Sequence, residues 1–281
     1  MSLKFYHNYF CFLAFLICSS CNENLVSKED QEKSQRVFIE GEKLLQGSTE
    51  SMLRLEKAIE IDPYNCDAVR ELSVAYLKRG LAHQWKLQFD KAVECDPILW
   101  QPYRGYLYLS FYRDYEKAIA DFDASDTLTP NFTDAPQGQS VDYWRGIAYL
   151  GLKDYKNALN YFNKYIRLET DEWGEDQVEV TGFLYRGIVL FKTNNYEQAL
   201  KDFDKVLYYN EDHSADAKYY KALILKASNP VKAKQLVTSA IKDFNMGYFN
   251  QRDYVEILMQ IYIDDLNVLN QELKRRLDSN L

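Results

Sequence analysis

The sequence predicts an all-α chain in which helical hairpins stack side by side, and three observations carry that expectation. Turn-forming residues are scarce, with 11 Gly and 6 Pro among 281 residues, whereas Leu, Ala, Lys, Glu and Tyr are common. From about residue 35 onward, apolar residues recur at helical spacing in segments of roughly 12 to 15 residues between short polar breaks, with no competing strand alternation. The third observation is recurrence: YWRGIAYLGLKDYKNALNYF, residues 143 to 162, returns in similar form 41 residues later.

Residues 1 to 20 stand apart. Lys4 precedes an apolar run from Tyr9 to Cys18, which is about half the ~20 residues a bilayer-spanning helix needs, so the segment reads as a signal peptide. The junction LICSSCNEN resembles a bacterial lipoprotein signal through Ser19, Ser20 and Cys21. Cys18 departs from that pattern, since a branched aliphatic residue is usual there, and ordinary cleavage after Ser20 is the alternative. The resemblance implies that Cys21 carries a lipid and holds the chain in the bacterial cell envelope, on the outer membrane, with periplasmic or surface orientation open. Residues 21–34 then form a flexible polar tether.

Loss of residues 1–20 removes Lys4 and no acid, moving the net charge from −8 to −9. An acidic chain without a Lys/Arg cluster repels phosphate backbones, so nucleic acid is not an expected partner.

The folded part is expected over residues 35–245. Leu72, Ser73, Tyr76, Gly80, Phe89, Ala92 and Pro97 lie on a 34-residue frame, and Pro63 falls one frame before Pro97. Gly146, Tyr149, Tyr155, Ala158 and Phe162 fit it, as do Gly187, Leu190, Tyr196, Ala199 and Phe203. Gly105, Tyr115, Ala118 and Phe122 fit with one inserted residue. Weaker copies run from Gly41 to Pro63 and from Ala222 through Ala233 and Val237 to Ala240. This pattern resembles the tetratricopeptide repeat (TPR) family, which implies a right-handed α-solenoid of about six TPR helix hairpins. The small residues let paired helices approach, the Phe residues fill the space toward the next pair, and stacking supplies the stability.

Two junctions are long. Residues 126–140 and 169–180 are read as longer turns that form rim loops or lengthen the following helix, with a rim that contacts a partner as the sharper alternative. The C-terminal part, 246–281, places Tyr254, Ile257, Leu258, Ile261, Leu266, Leu269, Leu273 and Leu277 at helical spacing. It is expected to be a capping helix or helix pair that covers the last apolar face, with homodimerisation through the same stripe as the alternative.

The chain offers little chemistry. His83 and His213 are isolated at helix junctions, and Gly-rich phosphate loops, zinc-ligand spacings and nucleophile elbows are missing, so no metal, cofactor or catalytic residue is assigned and the chain is read as non-enzymatic. Glu172 with Glu175 and Asp121 with Asp123 read as solvated carboxylates. Asp126-Thr127-Leu128 resembles a bacterial O-glycosylation sequon, a match short enough to arise by chance. The frame brings Cys66 and Cys95 to the same end of one hairpin, where they either bridge in an oxidising compartment or stand as buried thiols.

Arg104-Gly105, Arg145-Gly146 and Arg186-Gly187 recur at one frame position, with Asp121, Asp202 and Asn163 in the second helices as ion-pair or hydrogen-bond partners. Around them lie Tyr103, Tyr106, Trp144, Ile147, Tyr185 and Ile188, on or beside the face that in TPR proteins meets the partner. They read either as a peptide-binding groove or as packing between neighbouring helices. The expected function is an adaptor that holds a partner protein or peptide in its concave groove. The competing reading is a carbohydrate- or peptide-capturing lipoprotein that uses Tyr and Trp stacking.

Overall fold

The computed structural model describes residues 26–279. The expected signal peptide and the expected lipid-bearing Cys21 lie outside these residues. Helices α1 (Lys28–Glu42) and α2 (Thr49–Ile61) form the first hairpin, followed by α3 (Cys66–Lys78) with α4 (Ala82–Cys95) and α5 (Pro97–Leu107) with α6 (Tyr115–Leu128). Then come α7 (Val141–Gly151) with α8 (Tyr155–Trp173), α9 (Val180–Lys192) with α10 (Tyr196–Tyr209), α11 (Ala215–Leu225) with α12 (Pro230–Asn245), and a terminal α13 (Ile263–Asp278). Among the described residues there is no strand; one antiparallel bridge joins Arg252 and Val255. The result is an α-solenoid of six hairpins.

Each hairpin closes around a glycine or other small residue. A Cβ on Gly105, Gly146 or Gly187 would lie 2.7 to 2.8 Å from the ring of Phe122, Phe162 or Phe203, closer than carbon atoms can come. These rings are fully buried, as are Ala118, Ala158 and Ala199 on the same second helices. The ring also meets the following hairpin: Phe162 stacks on Tyr185 at 6.1 Å, and Phe203 on Tyr220 at 5.6 Å. One side chain thus joins a hairpin internally and to its neighbour. First helices also touch one another at α1–α3, α7–α9 and α9–α11, so one wall of the solenoid is built from them.

Capping fixes where the helices start. Asp114 and Asp154 accept N–H groups of Lys117 and Asn157 at the starts of α6 and α8, satisfying donors that have no partner within the helix. Ser27 does the same for Asp30, so α1 begins at Lys28 and not near Gln35. The expected tether to residue 34 is therefore shorter, because a capped polar segment becomes helical once Phe38 has a core to enter.

The inserted residue of the third hairpin appears as a π-helical turn at Tyr108–Tyr112. Tyr108 and Tyr112 both pack on Trp85, at 5.2 and 4.9 Å, and the turn ends at Arg113 with φ +52°. Of the two long junctions, the second extends α8 to Trp173, the helix before it. The first is a loop around Pro136–Gly138, tied by Val141 N–H to the Asp134 carbonyl at 2.8 Å.

Residues 246–262 correct the expected C-terminal helices. No helix forms before Ile263; Gly247 (φ +88°), Tyr254 (φ +67°) and Met259 (φ +60°) turn the chain out, over and back as a strap across the first-helix wall. The apolar spacing of Tyr254, Ile257, Leu258 and Ile261 suits a helix, but this segment is taken by contacts with the wall instead. Only α13 caps the solenoid, burying Leu266, Leu269 and Leu273 with Leu236, Val237 and Ala240 of α12. The stripe considered for dimerisation is therefore used within the chain.

Cys66 and Cys95 form a disulfide across the second hairpin, with Cα atoms 5.9 Å apart. Closing a loop across a sequence separation of 29 residues restricts the unfolded chain, an effect worth about 3 kcal/mol. Reduction, or Cys66→Ser with Cys95→Ser, is expected to lower the urea midpoint by a corresponding amount. An unchanged midpoint with and without reductant would show that the bridge contributes nothing. Gly146→Ala is expected to cost about 1–3 kcal/mol through overpacking against Phe162. Thermal melting of Gly146→Ala alone and combined with Phe162→Leu checks this, because the smaller side chain should return part of the loss.

Candidate partner-binding site

The arginine residues beside the hairpin glycines fix the first helices. Arg104 donates to Asp121 through Nε at 2.8 Å and Nη2 at 2.7 Å, and to Asp90 at 2.9 Å. Arg186 holds Asp202 at 2.8 and 2.6 Å and Asn163 at 3.1 Å. Planar two-point pairs of this kind set orientation as well as charge. Arg145 faces no acid on its own second helix, where Tyr161 lies under the guanidinium at 5.5 Å. It reaches back to Asp123, Asp126 and Asp142 at 3.1, 2.6 and 3.1 Å. Asp126 of the sequon-like triplet is thereby engaged, and Thr127 lies within α6.

These pairs orient the next residues along α5, α7 and α9 toward the first-helix wall, where the structure places five of the six aromatic and aliphatic candidates beneath the strap. Tyr106 accepts a hydrogen bond from Arg252 Nη1 at 2.9 Å. The Arg252 guanidinium lies 5.7 Å from the Tyr106 ring centre and 5.0 Å from that of Trp144. Trp144 donates its indole N–H to the Pro136 carbonyl at 2.9 Å, so the first long junction closes its other side. Tyr103 bonds to Gln137 of that same loop and flanks Arg252 and Asp253. Tyr185 donates to the Leu258 carbonyl at 3.2 Å and accepts from Asn250 at 3.3 Å. Ile147 borders a cavity of about 250 Å³ left between wall and strap, together with Arg113, Tyr143, Thr181 and Tyr185. Ile188 is the exception, 1% exposed inside the core.

An open aromatic groove is thus not what the fold presents. Trp144 and Tyr185 are each 3% exposed, and burial pushes the Tyr185 hydroxyl above its ordinary range. Sequence reasoning missed the covering residues Asn250 and Arg252, the rim residue Arg113, whose guanidinium lies 3.4 Å from Glu256, and the anchor Asp216. The only signals for them were the insertion before Arg113 and the Gly247 break.

Asp216 ties down the base of the strap. It is buried, accepts the Asn250 N–H at 2.8 Å, and Ala215 N–H bonds the Tyr248 carbonyl at 2.9 Å beside it. Burial raises its carboxyl to about 6. His213 stacks on Tyr248 at 4.5 Å, while His83 is exposed. Among the described residues, no three His, Cys, Asp or Glu converge as a metal site, and no helix is long and apolar enough to cross a membrane.

The wall and hairpins make an α-solenoid, and two of its hairpins carry the tetratricopeptide repeat pattern. The tetratricopeptide repeat family model matches residues 143–172 and 186–213, the hairpins α7/α8 and α9/α10. No curated protein matches the sequence. Among solved structures, PilF of Pseudomonas aeruginosa is similar with a TM-score of 0.61 and 20% identity, over 89% of this chain and 100% of that one. PilW, described as a widely conserved type IV pilus biogenesis factor, gives 0.59 and 16%, over 78% of this chain and 95% of that one. A tetratricopeptide repeat protein of Parabacteroides merdae gives 0.58 and 17%, over 89% and 86%. At these identities the likeness is one of fold.

A folded-state carboxyl raised above its unfolded value binds a proton that the unfolded chain releases, so its contribution is present at low pH and lost as pH rises. For Asp216 the window runs from about 4 to about 6. Asp216→Asn removes this loss while keeping an acceptor for Asn250. The variant is expected to gain on the native chain by up to roughly 3 kcal/mol across that window, measured by urea unfolding at pH 4 and pH 7. A difference independent of pH would mean Asp216 titrates normally.

Proposed function

We propose that this chain is a non-enzymatic interaction scaffold of the bacterial cell envelope, attached through a lipid on Cys21 and holding a partner protein or peptide on its concave wall. The observation that carries the reading is that the wall already holds an extended segment. Asp216 takes a main-chain N–H, Tyr185 gives a hydrogen bond to a main-chain carbonyl, and Tyr106 with Trp144 seats a side chain. Recognition of an extended chain by main-chain contacts plus side-chain pockets is a recurrent mode of peptide binding. The envelope assignment rests on residues 1–21, and the fold likeness to a type IV pilus biogenesis factor agrees with it. Carbohydrate capture fits less well, because two of the wall's contacts are hydrogen bonds to main-chain groups, which a sugar does not present.

A photo-crosslinking residue at Glu179, exposed beside the strap, is expected to capture a defined protein in the native cells. The same probe at Lys156, exposed on second helix α8, should not capture it. Recovery of lipid alone from Glu179, or the same proteins from both positions, would remove the reading.

A further inference from the structure

Residues 247–262 sit where a partner segment would. Their contacts divide into two kinds. Those at Asp216 and Tyr185 engage the main chain of Asn250 and Leu258, and any extended segment could make them. The contact at Tyr106 and Trp144 selects a side chain: a guanidinium over two ring faces, with one N–H directed at a phenolic oxygen. Among the described residues, no carboxylate lies within ion-pairing distance of Arg252, so the rings themselves are what hold this cation. The carboxylates of Asp216 and Glu179 border the same wall, and the whole chain is acidic, which favours a basic visitor.

The strap is exposed at its tip and held at both ends. Gln251 to Tyr254 are exposed, and Tyr254 at the tip keeps 74% of its surface in solvent. Tyr254 and Met259 occupy left-handed backbone, which large side chains adopt only under constraint. Release would relax both. Gly247 has open space around it at one end, and at the other α13 remains fixed to α12 by Leu266, Leu269 and Leu273. The strap can therefore swing out without uncapping the solenoid, as expected of a segment with few buried contacts.

We propose that the concave wall is a slot for an extended, arginine-bearing segment of a partner protein, and that the strap occupies this slot until such a segment displaces it. The inference rests on the scaffold reading and adds the partner's chemistry and the means of admission. An internal competitor lowers apparent affinity by the fraction of time the slot is open.

The probe is a fluorescein-labelled peptide of residues 247–260, read by anisotropy against the purified chain. It is expected to bind an Arg252→Ala chain about tenfold or more tightly than the native chain, because the competitor is weakened. A peptide with Ala in place of its own arginine should bind that variant at least about tenfold more weakly. Excess native peptide should also speed hydrogen exchange of the strap amides in the native chain, a readout that needs no variant. Equal affinity for both chains, equal binding of the alanine peptide, or unchanged exchange would overturn the proposal. So would a doubled mass caused by exchange of straps between two copies, which would assign the slot to this chain itself. If the peptide fails while Glu179 still captures a protein, the scaffold reading stands and the partner meets the wall without displacing the strap through an arginine; failure of both removes both.

Discussion

The close approach of two helices across a glycine is the constraint on which this structure depends. At Gly146 the Phe162 ring occupies the volume a methyl group would need, and the repeats at Gly105 and Gly187 are alike. Because the ring of Phe162 also stacks on Tyr185 of the next hairpin, closure of one pair creates the surface that receives the following one. A hairpin alone leaves that surface bare. The solenoid is thus cooperative between neighbours and must end on a cap, which α13 provides.

The same repetition produces the wall and its difficulty. First helices set side by side present Tyr106, Trp144 and Tyr185 on one wall, and such a patch in solvent invites unselective association. Here it is covered from two sides, by the loop at Pro136 and by the strap from Gly247 to Tyr262. The π-helical turn at Tyr108–Tyr112 contributes by carrying Arg113 to Glu256 on the strap. The wall meets its cover through main-chain hydrogen bonds and one cation, contacts that an extended segment can make.

Much of the fold was legible in the chain, for reasons that are local. The 34-residue frame reports contacts between residues close in sequence: Gly146 to Phe162, Ala158 within its hairpin, Asp154 capping its own helix. The arginine pairs were legible for the same reason, since Arg104 to Asp121 and Arg186 to Asp202 recur at nearly constant offsets. Arg145 broke the pattern because Tyr161 and Phe162 fill the places where an acid would stand, and it turned to the preceding hairpin instead. Reading residues 246–262 as helix failed because apolar spacing is only a preference of the isolated segment. Docking of Tyr185 to Leu258 and of Arg252 to Tyr106 spans 73 and 146 residues, and no local pattern encodes that.

By itself, then, the sequence determined a stack of helical hairpins with an aromatic face, since both follow from short-range periodicity and the sizes of paired side chains. Whether that face lies open was decided only in three dimensions. Stacking of the hairpins puts Tyr106, Trp144 and Tyr185 on one wall within reach of the distant strap, and burial of the rings outweighs the helical preference of the segment that covers them.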